Sequence, residues 1–233
     1  IVGLAMSIGL TAGSRIFAQV ADEIILYVEE DVGIRRFFYP VDARVPFSDG
    51  ELSNISMAEL RREGIPVPAT YTALSRWPDG SVQWLAINFN TSIGPLETQV
   101  FTLDRVVSER ARVNARRGLV VTDLESDIQV GRLRFAKNAS PLIRSVDFSG
   151  EQIGIGTNGI RVTDRMGRIH GIDRDAVTFE IIREGQQFVE VRYKGKIELD
   201  SKSNIPFELS VGLPNSKSWF KATIEIDDPE SQV

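Results

Sequence analysis

RWPDGSVQWLAINF, residues Arg76 to Phe89, writes a β-hairpin in fourteen letters. Two runs of apolar and aromatic residues flank Pro78-Asp79-Gly80. Proline fixes φ at the first turn position, aspartate bonds the backbone beyond it, and glycine accepts the left-handed conformation that closes the turn. No helix runs through that tripeptide, so the stretch predicts antiparallel sheet. It carries no chemistry of its own, and function has to be read from its neighbours.

Outward from the hairpin the period of two recurs. It is seen at Ile24, Leu26 and Val28, at Val177, Phe179 and Ile181, at Val189, Val191 and Tyr193, and at Phe207, Leu209, Val211 and Leu213. Many short alternating runs separated by Gly, Asp and Asn turns predict an all-β fold, a sandwich or barrel. Turn signals fall at Ser149-Gly150, Met166-Gly167, Glu184-Gly185 and Ser201 to Asn204. One short helix is expected over Met57 to Arg62, with Ser56 as N-cap, Glu59 completing a capping box, and Gly64 and Pro66 ending it. Alternation breaks between residues 104 and 117. That break predicts an N-terminal domain over 22–104, a linker over 105–117 and a second domain over 118–233.

The chain has 233 residues, 42% of them hydrophobic and 25% charged, which suits globular domains with real cores. Its net charge of −5 gives no general attraction to phosphate backbones or anionic lipid, so nucleic acid is not an expected partner. Arg105, Arg110, Arg112, Arg116 and Arg117 lie in a stretch without interleaved aromatics and read as a solvated connector. With no cysteine and His170 as the one histidine, disulfides, zinc-thiolate sites, thiol catalysis and histidine-paired metal sites are excluded within this sequence. Ile1 to Gly13, with Ser14 to Ala21 behind it, reads as the apolar and cleavage regions of a secretory signal, placing a leader at 1–21. The run is too short for a membrane span. An N-terminal hydrophobic strand is the other reading of these residues.

Several patterns tempt. Gly154-Ile155-Gly156-Thr157-Asn158-Gly159 has the dinucleotide spacing, but the alternating Ile160 to Thr163 follows it where a helix is required, so it reads as a loop between strands. His170 lies between Ile169 and Gly171 and reads as an exposed turn residue with no base or orienting partner nearby. Asp79, Asp123, Asp127, Asp164, Asp173 and Asp175 occupy turn-like contexts, and nothing in the sequence pairs any two of them as a glycosidase requires. Trp77, Trp84 and Trp219 read first as core aromatics rather than sugar platforms.

Three further segments stand in order before the hairpin. They are Arg36-Phe37-Phe38-Tyr39-Pro40-Val41, Val45-Pro46-Phe47-Ser48-Asp49-Gly50-Glu51-Leu52 and Pro66-Val67-Pro68, leading into Leu74-Ser75-Arg76-Trp77-Pro78-Asp79-Gly80-Ser81-Val82-Gln83-Trp84-Leu85. In order and spacing the series resembles the N-terminal domain of exo-rhamnogalacturonan lyase-like proteins. The likeness covers Ile24 to about Leu103, and Gly118 to Gly150 is more loosely similar to the start of that family's next domain. The resemblance implies a secreted protein made of a small RIFT-type β-barrel, a central β-sandwich and an α/α toroid bearing the lyase site. No toroid-like run of amphipathic helices occurs in this sequence, so the expectation is a small β-barrel followed by an incomplete antiparallel β-sandwich.

On this reading the chain is a non-catalytic N-terminal portion of a secreted or periplasmic polysaccharide-degrading protein, and β-elimination of uronate-containing pectin lies beyond residue 233. No catalytic residue is carried over. Arg36, Arg76 and His170 are the candidate substrate contacts, the partner is a polysaccharide, and no cofactor, metal or membrane span is assigned, with calcium left open for the parent. The alternative is a stand-alone carbohydrate-binding or envelope scaffold module.

Overall fold

A computed structural model describes residues 14–20, 23–105, 115, 117–154, 159–199 and 204–229. The chain is all-β, and the only helix among the described residues is a single 3-10 turn, Ile55–Met57. Contacts divide it into two units, Ile1–Gly118 with Gly185–Phe188, and Leu119–Glu184 with Val189–Val233.

The first unit contains β1 (Ser14–Val20), β2 (Glu23–Glu29), β3 (Arg36–Pro46), β4 (Ala58–Arg62), β5 (Ile65–Pro66), β6 (Ala69–Arg76), β7 (Val82–Ile93) and β8 (Thr98–Arg105). They form two sheets, in the orders β1-β2-β8-β4-β5 and β3-β7-β6. Among the described residues these ladders stay open, so the unit is sandwich-like and the expected closed barrel is not formed. Alternating residues of both sheets meet in one apolar cluster that includes Leu26, Val28, Val41, Val45, Leu60, Leu85, Ile87, Phe101 and Leu103. Phe89 and Phe101 lie across it with ring centroids 4.9 Å apart.

The hairpin reads in the structure as it does in the sequence. β6 and β7 pair antiparallel, and Gly80 closes the turn at φ +89°. Gly80 N donates to Trp77 O at 2.9 Å, and Asp79 Oδ1 accepts from Ser81 N at 2.8 Å. Two segments of the family-like series, Arg36 to Val41 and Val45 to Leu52, also meet this hairpin, whereas Pro66 belongs to β5 in the other sheet. Pro46 stands opposite Trp84, Phe47 N donates to Gln83 O, Val82 N donates to Leu52 O, and Trp77 Nε1 donates to Phe47 O.

The helix expected over Met57 to Arg62 is not formed. Asn54, rather than Ser56, caps the 3-10 turn, and the chain then extends as β4 with Ala58 and Leu60 buried on one face. The reason is tertiary. β8 offers a ladder to Ala58 through Arg61, the Tyr71 hydroxyl receives Leu60 N at 2.7 Å, and Glu59 pairs with Arg61 instead of bonding back to a cap.

The second unit contains β9 (Val121–Asp123), β10 (Asp127–Val130), β11 (Leu133–Ala136), β12 (Ile143–Phe148), β13 (Glu151–Gly154), β14 (Arg161–Thr163), β15 (Ile169–Gly171), β16 (Thr178–Arg183), β17 (Phe188–Glu198), β18 (Asn204–Pro214) and β19 (Lys221–Ile226). Its sheets run β13-β12-β11-β10-β9, β14-β15 and β16-β17-β18-β19. Ile128, Val130, Phe135, Val189, Val191, Tyr193, Phe207, Leu209 and Val211 share its core. Ser149, Gly150 and Gly167 hold the positive φ that their turns require.

Ser14–Val20, part of the stretch read as a leader, is strand β1 paired with β2. Residues 1–13 lie outside the described residues, as do Arg110, Arg112 and Arg116 of the connector and 201–203 of one expected turn.

Candidate functional site

The three candidate contacts are not brought together as one site. Arg36 is half-buried. Its guanidinium lies 3.4 Å from Glu30 Oε1 and 4.8 Å from the centroid of the Tyr39 ring. Arg76 is exposed and donates from Nη1 to Gly80 O at 2.8 Å, bracing the hairpin turn. His170 is a buried residue of β15, which corrects its reading as an exposed turn residue. A partner exists as well, because His170 Nε2 lies 2.9 Å from Asp164 Oδ2.

That partner comes from the turn joining β14 to β15. Asp164 Oδ1 accepts from Met166 N and Arg168 N, both at 2.9 Å, while Oδ2 accepts from Arg168 Nε at 2.6 Å. The hydrogen bond from His170 leads, opposed by burial and supported by the Arg168 and Met166 donors, in holding the Asp164 carboxyl well below the usual carboxylate range. An ionised carboxylate only accepts, so the proton between the two side chains sits on His170 Nε2. The constellation is a tied turn rather than a poised acid and base.

The surface suited to a ligand lies beside Arg36. Glu30 is buried at the end of β2, and its Oε2 accepts from Gly33 N at 2.8 Å, Ile34 N at 3.0 Å and Leu96 N at 3.1 Å. Burial pushes this carboxyl up, but the backbone donors of Leu96, Gly33, Ile34 and Val32 outweigh burial and leave it lowered. The carboxylate thus pins the β2–β3 connection to the β7–β8 turn.

Immediately after it β3 carries a bulge. Arg36 stands opposite Ile93 and Tyr39 opposite Thr91, so Phe37 and Phe38 together face Ser92. A regular strand would send adjacent side chains to opposite faces; the bulge leaves both rings in solvent, at 65% and 69% exposure. Phe38 holds φ +43°, and Ser92 Oγ accepts its N–H at 2.9 Å. The exposed Arg35 guanidinium sits 6.0 Å from the Phe37 centroid. Val32, Ile34 and Leu96, held by the same carboxylate, are exposed as well. Two aromatic faces and a cation on a fixed corner can hold a ligand that has apolar faces and negative charge.

The remaining carboxylates sort by structure. Asp49 and Asp79 approach each other at the hairpin turn, a pair the sequence did not disclose. Ser81 holds Asp79 low, whereas burial and the Asp79 charge raise Asp49. Asp127 is buried with two arginine partners. Asp123 pairs with Lys137, and Asp173 Oδ1 caps Asp175 N. Of the dinucleotide spacing, Gly154 ends β13 and Gly159 precedes β14, which begins at Arg161, while residues 155–158 lie outside the described residues. Trp77 and Trp84 are half-buried, and Trp219 is exposed.

The sequence names Asp164 only as an unpaired turn carboxylate and Phe38 only within the family-like series, and it gives Glu30 no role. Asp164 had a local signal, an Asp-x-x-Gly turn with a histidine shortly beyond it. Glu30 had none, because one of its partners, Leu96, is 66 residues away. No protein-family model matches the chain, and no curated protein matches it significantly.

Proposed function

We propose that the chain is the non-catalytic, sugar-holding N-terminal portion of a secreted or periplasmic polysaccharide-degrading protein similar to the exo-rhamnogalacturonan lyases, with β-elimination performed beyond residue 233. The observation that carries this is the corner formed by Arg35, Phe37 and Phe38, two exposed rings and a cation that follow a backbone segment tied by the buried Glu30 carboxylate. Pyranose rings stack their C–H faces on aromatic side chains, and a guanidinium pairs with a uronate carboxylate. The corner lies on β3, in the sheet where two of the family-like segments meet the hairpin. Arg36, Arg76 and His170 are each engaged in structural contacts, so they support the fold in preference to proton transfer.

The test uses the 233-residue chain and rhamnogalacturonan. Ultraviolet absorbance of unsaturated uronate stays flat, while electrophoretic mobility in a gel containing the polysaccharide falls. Phe37→Ala with Phe38→Ala restores the mobility. A steady absorbance rise abolished by His170→Ala or Arg76→Ala would overturn the non-catalytic assignment, and unretarded migration of the parent would overturn the sugar-holding one. A stand-alone carbohydrate-binding or envelope module shares this surface. Reading the frame past residue 233 separates the two, since a long helical repeat belongs to the lyase parent alone.

A further inference from the structure

We propose that Arg134 and Arg144, braced by Asp127, form an oxyanion-binding clamp on the sheet of the second unit, fitted to a carboxylate or a group of similar shape. Asp127 is the fixed point. Its side chain is 1% exposed, Oδ2 receives both Nε and Nη2 of Arg134 at 2.7 Å, and Oδ1 receives Nε of Arg144 at 2.7 Å. Two guanidiniums on one carboxylate leave a net charge of +1. The arginines remain partly open to solvent, at 29% and 41%, and make no other hydrogen bond among the described residues.

The placement of Arg144 is a specific feature of the strand. Arg134 stands opposite Ser145, but Phe135 stands opposite Ile143, so Arg144 is the extra residue of a β-bulge. In unbroken register Arg144 would pair with Phe135, whose side chain is in the core, and would point away from Arg134. The bulge turns it to the carboxylate that Arg134 already holds. One arginine suffices to neutralise Asp127. The second, brought by an irregularity of the strand, adds charge that an incoming anion can use, because the N–H edges of both guanidiniums facing away from Asp127 are rigidly presented. In the core of the same unit Tyr193 is buried and its hydroxyl has no partner among the described residues, with burial and the Asp127 charge both pushing the phenol up.

A uronate carboxylate is the source that the function proposed above supplies, and that part of the inference rests on it; inorganic sulfate or phosphate presents the same chemistry independently. The experiment titrates the 233-residue chain carrying Phe37→Ala and Phe38→Ala, which removes the aromatic corner of the first unit, with oligogalacturonate, with a neutral galactan oligomer and with inorganic sulfate, by calorimetry at low and high salt. Oligogalacturonate is expected to bind and the neutral oligomer not to, with binding lost at high salt. Arg144→Gln weakens it about tenfold or more, the scale of a lost hydrogen bond to a charged group. Arg144→Lys does not restore it, because an ammonium lacks the planar fork. Arg144 has one bond to Asp127, so folding of these variants is checked by unchanged near-ultraviolet circular dichroism. Sulfate binding with the same arginine dependence but no oligogalacturonate binding would sustain the clamp and remove support from the sugar reading. Equal affinity of Arg144→Gln and parent, equal binding of the neutral oligomer, or no binding of either anion would overturn the clamp.

Discussion

Phe38 and Gly80 both hold positive φ, one against its nature and one by it. For a bulky residue the left-handed region costs roughly 1–2 kcal/mol, whereas glycine enters it without a Cβ penalty. A Cβ built on Gly80 meets nothing within 4 Å, so substitution there is a pure backbone test. Gly80→Val should destabilise the first unit by more than about 1 kcal/mol in chemical denaturation, with Gly80→Asn milder. The opposite is expected at Phe38. Because its ring is in solvent, Phe38→Gly should leave stability within about 0.5 kcal/mol of the parent or raise it. Retention by rhamnogalacturonan should fall in the same variant. A variant that loses stability and keeps retention would show that the bulge serves packing rather than binding.

Among the elements, β4 and the turn before β17 show how neighbours set local structure. Residues Met57 to Arg62 have a helix-like start, yet the ladder to β8 and the burial of Leu60 give more than one helical turn can return in water. The Gly185–Phe188 segment belongs to the first unit, where Gln187 N donates to Thr70 Oγ1 at 3.1 Å and the Gln187 amide meets Asn90. A Cβ on Gly185 would come within 2.8 Å of Thr70 Cβ, so glycine is required there by space and not by φ. Gly185→Ala should therefore cost about 1–3 kcal/mol, the scale of forced overpacking. An unchanged denaturation midpoint would exclude that close approach.

At the scale of the whole molecule, lowered carboxyls set the response to acid. Glu30, Asp79, Glu97 and Asp164 all sit below their ordinary values in the folded chain, while Asp49 sits above. For the lowered groups the unfolded chain binds more protons between the ordinary value and the folded one. Their stabilisation is thus complete above about pH 4.5 and is lost as pH falls through the folded values; Asp49 acts in the reverse sense. The melting temperature should fall in acid. Asp164→Asn should melt lower than the parent at pH 7, with the gap narrowing only below about pH 4, as the parent's own carboxyl takes up its proton. A gap that stays constant down to pH 2 would mean that the Asp164 charge contributes nothing.

The all-β class, the β6–β7 hairpin and the turns at Gly80, Gly150 and Gly167 were legible in the sequence by itself. Each rests on residues adjacent in the chain, where a period of two or a Pro-Asp-Gly sets dihedral angles without help. The open sheets, the strand at Ala58–Arg62, the burial of His170 against Asp164 and the bulges of β3 and β12 were decided only by tertiary structure. A bulge is a mismatch between two strands, so neither strand's sequence contains it alone. Glu30 is the plainest case: its role depends on the N–H of Leu96, and whether a buried carboxylate is stabilised in its charged form by backbone donors is a property of the folded chain.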